Sequence, residues 1–206
     1  MNTKLLLAGV LCGSLISVSG LKAEGKAPLL IDNFDKQGNS FGGRSSTYVK
    51  EPSGIFAGND SNIKRGDAGR SLKLRYKKAN QGGPYGKGGW CGYYTIVKSG
   101  PRSYFDATGY TYLTLWVRGE EGGENFKIGV ADEAQEQRED SVKTEEIGVY
   151  LPAGKITTEW QQARIPLDEV FVDLEKLASL AICFEGDCFP DGGGKGTVYI
   201  DDMYFE

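Results

Sequence analysis

Apolar and polar residues alternate along most of the chain, and this two-residue period is that of a β-strand with one buried face. The segment SLKLRYK, for example, places Leu72, Leu74 and Tyr76 on one face and Lys73 and Arg75 on the other. The same period recurs in further segments, which are LLIDNFD, GYYTIV, YLTLWVRG, NFKIGVAD, QQARIPL, SLAICFE and TVYIDDMYF. The pattern therefore predicts about eight strands.

Stretches rich in glycine, proline and asparagine lie between these segments: KEPSG, NDSN, KANQGG, SGPRS, GEEGG, LPAG and PDGGGKG. Such residues are typical of turns. Many short strands joined by turns favour an all-β fold in which two antiparallel sheets pack as a sandwich or jelly roll. Only residues 167–180 have helical spacing, and we expect one or two short helical turns there, after Pro166.

The shared phase of the alternation also predicts which side chains fill the core between the two sheets. They are Leu72, Leu74, Leu113, Leu115, Val117, Phe126, Ile128, Val130, Ile182 and Phe184. No internal repeat, low-complexity tract or linker interrupts this pattern, so we expect one domain over residues 24–206.

The start of the chain, residues 1–23, has the layout of a secretory signal peptide. Lys4 gives a basic start, an apolar run follows, and small residues precede a cleavage point near Ala23 or, as the alternative, Gly20. The apolar run is short for a transmembrane helix, and no later segment is long enough. Lipid attachment at Cys12 is the competing interpretation, although a large residue precedes that cysteine. We expect a secreted or periplasmic protein without a transmembrane segment.

Charge and composition limit the possible functions. The whole chain has a formal charge of −4, and removing residues 1–23 leaves 22 basic and 28 acidic residues, a formal charge of −6. An acidic protein disfavours nucleic acid and anionic membrane as partners. The chain has no histidine, which excludes Ser-His-Asp and Cys-His catalysis and histidine-ligated zinc. Two carboxylates could still hydrolyse a glycoside, but no pair stands out in the sequence. We therefore expect a binding protein and not an enzyme.

Three cysteines follow residue 23, and they are Cys91, Cys183 and Cys188. Export favours a disulfide, and the odd count leaves one thiol over. Cys91 and Cys188 lie in predicted loops, whereas Cys183 lies within a predicted strand. We favour a Cys91–Cys188 disulfide, with Cys183–Cys188 as the second possibility.

Glycine and aromatic residues are concentrated in the stretch GGPYGKGGWCGYYT, residues 82–95. Strand alternation sends Tyr93 and Tyr94 to opposite faces, and Trp90 lies where the strand begins. Glycines leave aromatic rings uncovered and allow a ligand to approach the backbone. Because sugar rings pack their apolar C–H faces on aromatic planes, Trp90 and the outward tyrosine are candidates for glycan contact. The alternative is a long hairpin loop whose tyrosines fill the core.

Further candidate residues follow along the chain. Trp116 and Arg118 lie opposite the core face of their strand, and Asp132 follows the end of the next strand. These three residues would contact a ligand if the outer face of their strands forms a cleft. Otherwise they are surface residues, and Trp116 is a half-covered surface tryptophan. The charged segment after them is either a solvated loop or the rim of a cleft. Its three candidates for such a rim are Asp140, Lys143 and Glu145.

The quoted segments resemble a known group of proteins. They are similar to carbohydrate-binding modules with the galactose-binding-domain-like jelly roll. The segments that carry the similarity are, in chain order, IDNFD followed by FGG, YLTLWVRGEEGGENFKIGVAD, ITTEWQQARIPLDEVF, LASLAICFE and GTVYIDDMYFE. The resemblance covers most of residues 30–206 and is nearest to the eleventh carbohydrate-binding module family. The stretch FGGRSSTYVKEPSGIFAGN also resembles the complex-I intermediate-associated family, which shares the jelly roll but is not defined by sugar binding.

The resemblance implies a non-catalytic module that binds a polysaccharide or oligosaccharide, such as a β-glucan or a surface polysaccharide, in a concave cleft lined by aromatic side chains. It also implies a structural calcium ion, for which the matching acids are Asp32 in the first strand and Asp201 in the last. Both could equally be ordinary acids at strand ends. Because a fold does not fix a function, an envelope assembly protein that uses the sandwich for contacts with protein partners is the second functional hypothesis.

Overall fold

A computed structural model describes residues 26–206, and eleven β-strands form the framework of this part of the chain. In chain order they are β1 (Leu29–Asp32), β2 (Ser45–Val49), β3 (Gly54–Asp60), β4 (Ser71–Lys78), β5 (Cys91–Ile96), β6 (Tyr112–Gly119), β7 (Lys127–Asp132), β8 (Val142–Glu146), β9 (Gln161–Pro166), β10 (Leu177–Phe184) and β11 (Gly194–Phe205).

The strands form two antiparallel sheets, which we call sheet A and sheet B. Sheet A has the strand order β3-β4-β11-β6-β9, and β1 pairs with the last residues of β11. Sheet B has the order β2-β5-β10-β7-β8. Most neighbouring strands are distant in the sequence, so the chain crosses repeatedly between the two sheets, as in a jelly roll.

Side chains from the facing sides of the two sheets fill one hydrophobic core. All of the residues predicted for this core are buried, and none is more than 3% exposed. Tyr76 of sheet A stacks on Phe184 of sheet B with their ring centroids 3.8 Å apart, and Phe126 meets Phe184 edge-on. The predicted all-β sandwich is therefore confirmed, because alternate residues of each strand do face the other sheet.

The alternation did not reveal three strands, β2, β3 and β8, and each of them lies at the edge of its sheet. β2 (SSTYV) and β8 (VKTEE) are mostly polar, and β3 (GIFAGND) contains two glycines. Short and polar edge strands limit pairing with other chains, so natural sheets often lack the apolar pattern at this position.

Helical structure in the described residues is limited to short elements. The 3₁₀ turns Leu167–Glu169 and Leu174–Lys176 confirm the prediction for residues 167–180. An α-helix, α1 (Glu133–Gln137), lies in the charged segment that could also have been a solvated loop. The other 3₁₀ turns are Pro84–Gly86, Ile147–Tyr150 and Gly186–Cys188.

The predicted Cys91–Cys188 disulfide is not formed, since Cys91, Cys183 and Cys188 are all free and buried thiols. Cys91 faces the core from the start of β5, and its Sγ lies 3.9 Å from the carbonyl oxygen of Lys77. The Sγ of Cys188 lies 4.0 Å from a carboxylate oxygen of Asp187 in a different turn. The Cys183–Cys188 alternative is not formed either, because strand alternation directs Cys183 to the outer face of sheet B.

Residues 26–206 contain no helix that is long and apolar enough to cross a membrane. The predicted signal peptide, residues 1–23, and the lipid-attachment alternative at Cys12 lie outside the described residues. Both therefore stay predictions.

Candidate functional site

The outer face of sheet B carries a hollow of about 630 Å³, which we call the sheet B cleft. Strands β2, β5, β10, β7 and β8 cross its floor, and the segment after α1 forms part of its rim. Its lining consists of Tyr48, Trp90, Tyr94, Ala131, Glu136, Glu139, Asp140, Ser141, Lys143, Ser179, Ala181 and Glu185. Aromatic side chains lie at one end of this surface together with Glu185, small side chains form its centre, and the other charged side chains lie at the opposite rim.

Strand alternation in β5 determines which of the adjacent tyrosines enters the cleft. Tyr94 faces outward and lines the cleft, whereas Tyr93 faces the core and is only 7% exposed. Trp90, immediately before β5, is 43% exposed and lines the same surface. The sequence correctly limited the outward residue to one of the two tyrosines, but only the burial of Tyr93 identifies it as Tyr94.

Tyr48 of β2 is the third aromatic residue of the cleft, and a glycine makes room for it. Tyr48 pairs with Gly92 of β5 across the ladder. A Cβ atom built at Gly92 would lie 2.3 Å from the Tyr48 hydroxyl oxygen and 2.4 Å from the adjacent ring carbon. Because these separations are far below van der Waals contact, only glycine allows the Tyr48 ring to lie across β5.

The centre of the cleft floor is formed by small residues of β7 and β10. Ala131, Ser179 and Ala181 line it directly. Next to them, a Cβ atom at Gly129 would lie 2.5 Å from the Ser141 hydroxyl oxygen and 3.0 Å from the Cys183 Sγ. The absence of large side chains keeps this floor low between the aromatic wall and the charged rim, which leaves room for an extended ligand.

Charged groups occupy the rim opposite the aromatic wall. The Lys143 ammonium lies 2.9 Å from the Asp140 carboxylate, and this hydrogen bond lowers the pKa of Asp140. The carboxylate of Glu136 accepts a 3.0 Å hydrogen bond from the Tyr104 hydroxyl and forms an ion pair with Lys98. The rim therefore presents oriented hydrogen-bonding groups.

Glu185 stands at the aromatic end of the cleft, after the end of β10. Burial raises the pKa of the Cys183 thiol to about 11, and the nearby Glu185 carboxylate adds to this increase. Burial also raises the pKa of Tyr48, with contributions from Cys183 and Glu185. Glu185 directly follows the pair Phe184–Cys91 of β10 and β5, which places it near Trp90.

Three of the predicted ligand-binding residues lie elsewhere. Trp116 is on the outer face of sheet A, where the Arg65 guanidinium covers its ring at 3.8 Å from the ring centroid. Arg118 is on the same face, and its Nε is buried without a hydrogen-bond partner. Asp132 caps α1, accepting 2.8 Å hydrogen bonds from the backbone N–H groups of Gln135 and Asp173. Burial would raise the pKa of Asp132, but these hydrogen bonds hold it below its usual range.

Sequence reasoning did not identify Tyr48, Glu136, Glu139, Ser141, Ser179 and Glu185 as lining residues. Of the three suggested rim residues, Asp140 and Lys143 line the cleft and Glu145 does not. Tyr48 was missed because β2 has no apolar alternation. A general signal was present, since a glycine within a strand, such as Gly92 between Cys91 and Tyr93, often marks a place where another group approaches the backbone closely.

Two other hollows, of about 530 and 470 Å³, lie on either side of Phe56 in β3. Phe56 is 56% exposed, whereas the other aromatic residues of their linings, Phe34, Tyr76 and Tyr93, are buried. Each of these hollows thus offers one accessible ring, whereas the sheet B cleft combines three rings with several polar groups. The sheet B cleft is therefore the candidate functional site.

The two predicted calcium ligands, Asp32 and Asp201, lie near each other where β1 meets β11, and both are buried. Burial raises the pKa of Asp32 to about 6 against a hydrogen bond from the Phe34 N–H, and the Asp201 charge raises it further. Burial likewise raises the pKa of Asp201 to about 6, although the Arg65 N–H donates a 3.0 Å hydrogen bond to it. The described residues contain no group of three or more acidic or cysteine side chains suited to a metal.

Comparison with known proteins identifies the family of the chain. The model of the family Carbohydrate binding domain 30 matches residues 31–206. No curated protein sequence matches the chain. Among solved structures, the family 30 module of a cellulosomal cellulase of Clostridium thermocellum superposes with a TM-score of 0.62 at 19% identity, covering 88% of this chain and 98% of that one.

Family 11 modules of Clostridium thermocellum are also similar. The module of a cellulosomal cellulase gives a TM-score of 0.61 at 12% identity, with 87% of this chain and 94% of that chain covered. A family 11 module in complex with a β-1,3-1,4-mixed-linked tetrasaccharide gives 0.60 at 12% identity, with 86% and 94% covered. At these identities the structures confirm the predicted jelly-roll fold and no more. The family itself is identified by the family model, which matches residues 31–206. The chain belongs to the Carbohydrate binding domain 30 family, a family of non-catalytic modules that bind carbohydrate.

Proposed function

We propose that the sheet B cleft is the glycan-binding site of this protein and that an extended β-glucan-like chain lies along it. The observation that carries the proposal is the presence of Tyr48, Trp90 and Tyr94 in one hollow of a chain that belongs to a carbohydrate-binding family. The mixed-linked tetrasaccharide bound by a family 11 module of the same fold supports a β-glucan as the ligand class.

The physical basis is the two-sided chemistry of a sugar ring. The C–H faces of a pyranose are apolar and pack against an aromatic plane, which offers a large contact area at low conformational cost. The equatorial hydroxyls point sideways and need hydrogen-bond partners. Ser179 on the floor and Lys143 and Glu185 at the two ends can supply them.

Replacing Trp90 by alanine and measuring glycan affinity tests the proposal. Isothermal titration with the β-1,3-1,4-mixed-linked tetrasaccharide should show affinity weakened by about 1–3 kcal/mol, the scale of removing one aromatic contact. Trp116→Ala is the matched control, because Trp116 is on the other sheet and should leave affinity unchanged. A loss of affinity in Trp116→Ala but not in Trp90→Ala would place the glycan on sheet A.

The protein is expected to act outside the cytoplasm, where polysaccharide ligands occur. The layout of residues 1–23 supports export, with cleavage near Ala23. N-terminal sequencing of the protein recovered from the periplasm or medium of the producing cells tests this. A protein that retains Met1 and stays in the cytoplasm would contradict it.

We also propose that Asp32 and Asp201 hold a structural calcium ion. Burial raises the pKa of both carboxylates, and the Asp201 charge raises that of Asp32 further. A divalent cation bound between them would offset this unfavourable negative charge. The pair supplies only part of the oxygen set that calcium needs, so backbone carbonyls and waters would complete it. The charge of the site fits a cation, and the ion would join the first strand to the last.

A further inference from the structure

The charges in the sheet B cleft are strongly unequal in sign. Four carboxylates line it, those of Glu136, Glu139, Asp140 and Glu185, against a single ammonium group, that of Lys143. The charged groups that line the cleft are thus mainly acidic, and such an excess affects the binding of charged sugars much more than that of neutral ones.

Two of the four carboxylates already have cationic partners. Asp140 pairs with Lys143 at 2.9 Å, and Glu136 pairs with Lys98. Glu139 and Glu185 form no ion pair with any residue in the range 26–206. Glu185 is the important one for recognition, because it is partly buried and lines the same hollow as the three aromatic rings. It directly follows the pair Phe184–Cys91 of β10 and β5, which places it at the Trp90 end of the cleft, where a sugar ring would stack.

We infer that the cleft selects its glycan by charge and prefers chains that contain 2-amino sugars, such as β-1,4-linked glucosamine, over neutral chains, while it rejects uronates and sulfated sugars. This inference rests on the proposed function of the same cleft. A protonated sugar amine can pair with the Glu185 carboxylate, whereas a sugar carboxylate would meet the two like charges of Glu139 and Glu185 that no cation offsets. The aromatic wall stacks on all of these rings alike, so the difference between them comes from charge.

The test compares ligands that differ only in one substituent. Oligosaccharides of β-1,4-linked glucosamine, their N-acetylated counterparts and cello-oligosaccharides of equal length are titrated into the intact protein at low and at high salt. At low salt and slightly acidic pH, the glucosamine chain should bind about three- to tenfold more tightly than the two neutral chains. High salt should reduce this advantage, because it screens charge but not stacking.

Glu185→Gln keeps the shape of the side chain and removes its charge, so it should lower affinity for the glucosamine chain more than affinity for the neutral chains and thereby reduce the amine preference. Glu120→Gln is the matched control, because Glu120 is exposed and lines a hollow of sheet A.

A second experiment tests the rejection of anionic glycans by comparing carboxymethyl cellulose with hydroxyethyl cellulose in an affinity gel. The carboxymethylated polymer should be retained less at low salt and should recover retention as salt is added.

The outcomes separate this inference from the proposed function. If no oligosaccharide binds, or if binding survives Trp90→Ala unchanged, the proposed function fails and the charge selection fails with it. If the neutral chains bind through Trp90 but the glucosamine chain binds no more tightly at low salt, only the charge selection is overturned. Equal retention of the two cellulose derivatives, or an unchanged amine preference in Glu185→Gln, would also overturn it.

Discussion

The ring of Tyr48 lies across Gly92, and the absence of a side chain at Gly92 is what allows it. A Cβ atom there would come within 2.4 Å of the Tyr48 ring and equally close to the Ile182 carbonyl oxygen. The stretch GGPYGKGGWCGYYT thus combines glycine with aromatic residues for a reason that becomes clear only when the neighbouring strand is seen. One glycine of the stretch accommodates an aromatic ring contributed by another strand.

Gly92→Ala should therefore damage both folding and binding. The added methyl group clashes with the Ile182 backbone and with Tyr48, and such overpacking costs about 1–3 kcal/mol of unfolding free energy. Displacing the Tyr48 ring should also weaken glycan affinity in the protein that remains folded. Gly54→Ala is the control, because a Cβ atom at Gly54 meets nothing within 4 Å. Denaturant titration and glycan titration measure the two effects, and a fully stable Gly92→Ala with normal affinity would contradict the packing described here.

The adjacent tyrosines should separate stability from binding. Tyr93→Ala removes a buried ring and should reduce unfolding free energy by about 3–5 kcal/mol. Tyr94→Ala removes a ring from the cleft and should reduce glycan affinity by about 1–3 kcal/mol with little loss of stability. Thermal unfolding and titration with the mixed-linked tetrasaccharide compare the two variants. If the effects are reversed, or if both variants lose only stability, the assignment of Tyr94 to the binding surface is wrong.

Asp32 and Asp201 predict how stability depends on pH. Their folded pKa values are raised from the ordinary 3.8 to about 6, so between these limits the folded protein binds more protons than the unfolded chain. The stability that this pair contributes is therefore present at low pH and is lost as pH rises through about 6 in calcium-free buffer. Asp201→Asn removes one of the two titrating groups, so its melting temperature should fall less across this pH range than that of the original protein.

Calcium should reverse this behaviour, because it binds the ionised carboxylates of the folded state. Adding calcium should raise the melting temperature at neutral pH and have little effect below the ordinary carboxylate pKa. Asp187→Asn is the control, since Asp187 pairs with Lys127 on the surface, and it should keep the full response to calcium. An unchanged melting curve of the original protein after chelation at neutral pH would argue against the ion.

The three described cysteines should behave as protected thiols. Burial raises the pKa of Cys91 and of Cys183 to about 11, and that of Cys188 to about 12. Since the thiolate is the reactive form, the folded protein should react very slowly with a disulfide reagent near neutral pH and react fully once unfolded. A reductant should leave the melting temperature unchanged. A lower melting temperature in reductant would show that a disulfide stabilises the protein after all.

The alternation of apolar and polar residues was sufficient to predict the two-sheet architecture. Period-two alternation identified the central strands and all of the predicted core residues, because a strand between two neighbours must bury one face whatever its partners are. The spacing after Pro166 likewise predicted the two 3₁₀ turns. Residues such as Leu115 and Ile182 need no knowledge of the tertiary structure to be assigned to the core.

The location of the cleft, in contrast, follows from the three-dimensional packing of the strands and not from the alternation. Alternation places both Tyr94 and Trp116 on outward faces of their strands. Which of the two rings is accessible to a ligand depends on what covers it: Arg65 covers the Trp116 ring, whereas the Tyr94 ring lines the sheet B cleft. The edge strand that carries Tyr48 has no apolar pattern, because none of its residues is fully buried. The pairing of Cys91 and Cys188 was mispredicted for a related reason, since spacing along the chain does not report the directions in which two side chains point.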